Sequence, residues 1–152
     1  MKNILLFAIA ILSAGLAGTA SAQFRTAEGA IKYRQSVMTV QGRAFYVSLG
    51  AMVNGRAPYD AKVAAESAEL VMILSRLPWG AFGPGTDKGA ETDAKPAIWT
   101  EQAKFKNMAE KMQAEVVRLA AAAKTGSLDN LKAAYGPVRD ACKACHDAFT
   151  SQ

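Results

Sequence analysis

Between residues 26 and 149 apolar side chains return every third or fourth position in four separate runs, and glycine or proline closes the first three. That period belongs to helices with one buried face, and the strict alternation of a half-buried strand is absent. The first run covers 26–53, with Ala30, Tyr33, Val37, Val40 or Gln41, Ala44 and Val47 near one face; Asn54-Gly55 and Pro58 end it. The second takes Asp60 as its cap and continues to Leu77, with Val63, Ser67, Leu70, Val71, Leu74 and Leu77 as its stripe, before Pro78. The third begins at Pro96 and reaches about Lys124, turning Trp99, Phe105, Met108, Met112, Val116, Leu119 and Ala123 inward, and Gly126 closes it. Ser127 or Asp129 caps the fourth, which carries Leu128, Leu131, Tyr135, Val138, Cys142 and Phe149. Pro137 is expected to bend or interrupt it near Ala133 to Gly136.

Two short connections and one long one imply an all-α fold, an antiparallel four-helix bundle. The long connection, residues 78–95, holds four glycines and two prolines. A segment of that length without its own helix is uncommon unless it packs or works.

The N-terminus reads as a leader. Lys2 precedes an apolar run from Ile4 to Leu12, and small residues follow to Ala20-Ser21-Ala22. This order describes a secretory signal peptide, residues 1–22, cleaved after Ala22. The apolar run is too short for a membrane span, so no membrane attachment is expected after cleavage. The folded domain is then 23–152. A formal charge of +5 makes the chain mildly basic, but no dense Lys/Arg run suggests a nucleic-acid groove. The scattered lysines suit an acidic redox partner instead.

Chemistry concentrates at Cys142-Lys143-Ala144-Cys145-His146, which holds both cysteines and the single histidine. A C-x-x-C-H run is the signature of c-type haem attachment. Thiols one helical turn apart can each bond one vinyl group at a porphyrin edge, and the adjacent imidazole then reaches the iron. The competing readings fit less well. A thioredoxin-type pair sits at a helix start after a strand, a zinc site needs a fourth ligand, and a disulfide three residues apart in a helix is strained. Haem c is the expected cofactor, with Cys142 and Cys145 as covalent anchors and His146 as axial iron ligand. Bacterial attachment of this kind occurs outside the cytoplasm, which agrees with the leader and points to the periplasm.

The chain resembles cytochrome c prime, the class II c-type cytochromes. The resemblance rests on Ala30-Ile31-Lys32-Tyr33-Arg34-Gln35-Ser36 with Met38, on Pro58-Tyr59-Asp60, on Leu77-Pro78-Trp79 with Phe82-Gly83-Pro84-Gly85-Thr86, on Lys95-Pro96 with Ile98-Trp99, and on the haem motif followed by Asp147. It implies a four-helix bundle, often paired as a homodimer, with five-coordinate high-spin iron held by His146 alone. It places Arg34 and Gln35, and Asp93 with them, at the haem edge, and Met38 over the opposite face. Nitric oxide and carbon monoxide are the implied ligands. The chain departs from the pattern at Thr150, where many members carry a basic residue.

Met38 decides between two functions. A methionine packed over the ring leaves the iron open to gases. A thioether bound to it gives a low-spin six-coordinate electron carrier of the cytochrome c-556 type. The neighbouring blocks favour the open site. An enzyme, such as a peroxidase, fits less well, because the one histidine is committed and no second acid–base histidine exists. Met52, Met72, Met108 and Met112 read as packing, and Trp79 and Trp99 as anchors of the bundle or loop. For Tyr33, Phe45 and Tyr46 three surroundings stay open: the haem, the core or a dimer partner.

Overall fold

The computed structural model describes residues 24–151; the expected signal peptide, Gln23 and Gln152 lie outside them. The first helix is one continuous rod in three parts: α1 (Ala27–Gly42), a π-helical stretch (Arg43–Leu49) and α2 (Gly50–Val53). Thr26 starts it by accepting the Gly29 N–H at 3.0 Å. Gly55, with φ 68°, turns the chain after it. The second helix, α3 (Ala61–Leu74), is capped by Asp60, whose carboxylate accepts from the Lys62 and Val63 amides at 2.9 and 3.0 Å. It ends three residues short of the expected Leu77, because Ser75 to Leu77 tighten into turns before Pro78.

The long connection is less irregular than its composition suggests. It opens with a 3₁₀ turn, Pro78–Phe82, packed against α1. Its end is tied to the C-terminus: Lys95 donates to the Phe149 carbonyl and Ser151 to the Asp93 carbonyl, both at 2.9 Å. The third helix is broken rather than continuous. A single turn, α4 (Ala97–Thr100), with Pro96 as its cap, is separated from α5 (Gln102–Ala123) by Glu101 at φ −116° and ψ 41°. The last helix, α6 (Leu128–Phe149), is capped by Ser127 and not by Asp129. The expected interruption at Pro137 does not occur. Gly136 precedes the proline and has no Cβ for the ring to strike, and the buried Tyr135 and Val138 hold both sides of the site in the core.

α5 packs against α3 on one side and α6 on the other; the first helix closes the bundle against α3 and, through α2, against α6. The core runs through Phe45, Leu49, Met52, Val71, Val116, Leu119, Leu131, Tyr135 and Val138. Phe45 stacks on Tyr135 at 4.3 Å. Tyr135 fits because residue 50 is glycine: a Cβ there would lie 2.6 Å from the tyrosine oxygen.

Two apolar stripes face inward only in part: Ala30, Val37, Gln41 and Ala44 on the first helix and Val71 on α3 are buried as expected. On α3 the buried face is Ala64, Ala68 and Val71, while Val63, Leu70, Ile73 and Leu77 stay exposed. The small alanines let the helices approach closely, which turns the bulkier residues outward. On the first helix Val40 and Val47 are likewise exposed.

Candidate functional site

Where α1 and the last turns of α6 stand apart, they flank a cleft of about 260 Å³. Arg34, Gln35, Met38, Asp93, Cys142, Cys145 and His146 all line it, together with Gln41, Thr92 and Thr150. Its remaining walls are apolar: Trp79, Phe82, Ile98, Phe105, Met108, Met112 and Phe149 among them. Met108 and Met112, which helical spacing assigns to packing, therefore also face the cleft.

Helical geometry places the three motif residues. Cys142 and Cys145 lie one turn apart on the same face of α6. Both thiols are half-buried and form no disulfide. Burial, and the neighbouring Cys145, push the Cys142 thiol up to about 11; burial raises Cys145 as well. The His146 ring is exposed and has no hydrogen-bond partner among the described residues. Its backbone is held firmly: the Thr150 amide and hydroxyl both donate to the His146 carbonyl, at 2.8 and 3.0 Å. Thr150 thus ends the ligand helix instead of bringing a charge to it.

Arg34 does more than its position suggests. Its guanidinium is buried, 2% exposed, and points into the 78–95 connection. Nη1 donates to the carbonyls of Ala81 and Thr86, each at 2.9 Å, and Nη2 to the Thr92 hydroxyl at 3.2 Å. The plane lies 4.5 Å from the Phe82 ring and 5.5 Å from Trp99. Burial pulls its pKa below the usual arginine value, with Asp87 opposing; an arginine so placed stays protonated. Gln35 pins the same segment by donating to the Glu91 carbonyl at 3.0 Å. Two indoles finish the anchorage, Trp79 on the Ser75 carbonyl at 2.7 Å and Trp99 on the Gly83 carbonyl at 3.0 Å. The sequence pattern offers no sign of these loop contacts, since the partners are mostly backbone oxygens, with the Thr92 hydroxyl beside them, some tens of residues away or in an irregular turn.

Of the aromatic residues left open by the sequence, Phe45 belongs to the core, Tyr33 packs on Phe24 at 4.9 Å, and Tyr46 is exposed beside a smaller cavity of about 60 Å³. That cavity is also lined by Met38, Gln41, Cys142 and His146. Of the two residues the spacing offers at that step of the first helix, Gln41 turns inward and Val40 outward. Its Oε1 is buried without a partner.

The donor set suits a flat apolar group anchored at one edge. Two free thiols and an imidazole lie along one wall, a guanidinium closes another side, and no group of three or more His, Cys, Asp or Glu among the described residues could hold a bare ion. A family model described as Cytochrome C' matches residues 29–150, most of the chain. The chain belongs to the cytochrome c prime family. The cytochrome c prime of Rubrivivax gelatinosus is 53% identical over 127 residues, covering 84% of this chain and 98% of that one. Its crystal structure matches with a TM-score of 0.82 at 52% identity, over 85% of this chain and all of that one (100%). A nitric oxide complex of a leucine-to-alanine variant of the Alcaligenes xylosoxidans cytochrome c prime matches with a TM-score of 0.79 at 45% identity, over 86% of this chain and 99% of that one. A carbon monoxide-bound leucine-to-glycine variant of the same protein gives the same TM-score and identity, over 86% and 100%. Cytochromes c prime carry covalently bound haem c, and haem c is the cofactor of this chain.

Among the described residues no helix is long and apolar enough to cross a membrane.

Proposed function

We propose that this cytochrome c prime is exported by its 1–22 leader to the bacterial periplasm, where the 23–152 domain binds nitric oxide and carbon monoxide and also takes part in electron transfer. The observation that carries the reading is the cleft itself. It sets Cys142, Cys145 and His146 across from Met38 in a fold shared with nitric oxide and carbon monoxide complexes. When bound there, haem supplies an iron that takes a diatomic ligand and cycles between ferric and ferrous. Cys142 and Cys145 anchor it through thioethers. His146 donates one ring nitrogen to the metal, and its helix end is locked by Thr150. Arg34 keeps its Nε–H and one Nη2–H free of the loop contacts, which suits a propionate; a guanidinium pairs with a carboxylate through two bonds. Gln35 and Asp93 stand at the same edge. Met38 guards the opposite side with an apolar, half-buried side chain and admits only small uncharged molecules. The iron is then five-coordinate and high-spin, and the protein acts as a carrier of gas and electrons rather than an enzyme.

Two copies of the chain pair as a homodimer. The support is the exposed row Val40 and Val47 on the first helix with Val63, Leu70, Ile73 and Leu77 on or just after α3, two elements that pack side by side. The basic surface suits an acidic periplasmic redox protein.

A second reading has one observation in its favour, the Met38 thioether in the same cleft as His146. If its sulfur binds the metal, the protein is a low-spin carrier of the cytochrome c-556 type. Gas titration of the ferrous protein tests the choice: an open site binds carbon monoxide in both the parent and Met38→Ala, whereas a ligated site binds it readily only in the variant.

A further inference from the structure

We infer that Gln41 is a hydrogen-bonding residue of the gas site, donating through its side-chain amide to the outer atom of a diatomic ligand. The inference rests on the gas-binding reading above and adds the residue that tells one gas from another.

Gln41 is 8% exposed, and its Oε1 has no partner. Its Nε2 makes no hydrogen bond within the described residues either. A buried amide oxygen without a partner is rare and calls for a reason, and the Nε2 beside it is not sealed in the core but opens onto accessible space. The side chains around it do not pair with its oxygen: the walls of the smaller cavity include Phe45, Val71 and Val138 with Tyr46, Cys142 and His146, and those of the main cleft beside it Met112 and Phe105, yet none donates to Oε1. The backbone nearby is helical and bonded to itself.

Position supplies the reason. Gln41 follows Met38 by three residues, so the two side chains share a face of α1. Met38, Gln41, Cys142 and His146 are the four residues that line both cavities. The amide therefore sits where the two spaces meet, on the Met38 side and across from the motif helix.

The chemistry follows from the group. A primary amide has two N–H donors and a carbonyl acceptor, and it is neutral across the working pH range. Nitric oxide and carbon monoxide bound end-on gain negative charge on the outer oxygen. A fixed N–H aimed there strengthens binding inside a mostly apolar cleft. The gain is larger for the ligand that accumulates more charge, so Gln41 sets a preference among gases that an all-apolar wall would lack.

The test compares the haem-loaded parent with Gln41→Met, a near-isosteric apolar replacement, and with Gln41→Asn, which keeps the amide but withdraws it by one methylene. Three readouts are taken: the infrared C–O stretch of the ferrous carbon monoxide complex, the dissociation rate of nitric oxide, and the thermal midpoint. The inference predicts a higher C–O stretching frequency and about tenfold faster nitric oxide loss in Gln41→Met, the size of one hydrogen bond. Gln41→Asn shifts both readouts in the same direction. The thermal midpoint of Gln41→Met stays level or rises, because no protein hydrogen bond is lost. Unchanged frequency and rate in complexes that still form overturn the inference and leave the gas-binding reading standing. A lower midpoint with unchanged rates makes Gln41 a structural residue and overturns it too. If the parent forms no complex with either gas, both readings fall.

Discussion

Replacing Arg34 by methionine keeps much of the side-chain volume and removes the charge and every donor. The arginine ties the 78–95 connection to α1 through two carbonyl bonds at 2.9 Å, with a third contact at 3.2 Å to Thr92. Bonds from a charged donor contribute about 1.5–3 kcal/mol each, so the two carbonyls alone represent roughly 3–6 kcal/mol gross. Two effects reduce this. Burying a guanidinium is itself costly, and methionine avoids that cost. Water can also reach the Thr86 carbonyl, which is only part-buried. The net loss should be about 2–4 kcal/mol, read as a shift in the urea midpoint at constant slope. Arg34→Lys keeps the charge but not the planar fork, and it should lose about half as much. Because Thr92, Asp93 and Ala94 line the cleft, the freed segment should also become open to protease near Gly83 to Gly89 while the bundle stays intact. A loss under about 1 kcal/mol in Arg34→Met, with no new cleavage in that segment, would refute the assignment of Arg34 as its anchor.

Three further outcomes are expected. Gly50→Ala places a methyl 2.6 Å from the Tyr135 oxygen and should cost about 1–3 kcal/mol in urea unfolding; Tyr135→Phe in the same chain should recover part of it. Cys142→Ser and Cys145→Ser together should leave haem extractable into acidified organic solvent, where the parent retains it. Val47→Asp with Ile73→Asp should give a monomer by sedimentation equilibrium at concentrations where the parent is a dimer, with the helical circular dichroism unchanged.

The four helices and their caps are legible in the sequence because each signal is local. Asp60 and Ser127 cap through their own neighbours, and Gly55 and Gly126 turn the chain at φ near 70°. The cysteine–histidine motif is legible for the same reason, since one helical turn fixes its geometry. What escapes the sequence depends on distant partners. Val47 and Leu70 look inward by period, yet they face outward because the alanines beside them make the closer contact. Pro137 breaks a helix on propensity alone, and here Gly136 and a packed core override it. The role of Arg34 depends on where the carbonyls of Ala81 and Thr86 come to rest. The π-helical stretch after Gln41, and the unpaired amide just before it, leave no mark in the apolar period.

The most direct test of the open site is the optical spectrum of the purified haem protein, ferric and ferrous, before and after addition of nitric oxide or carbon monoxide. The account predicts a high-spin spectrum in both oxidation states that changes when either gas is added to the ferrous form. A low-spin spectrum that neither gas alters would contradict it and place the Met38 sulfur on the iron.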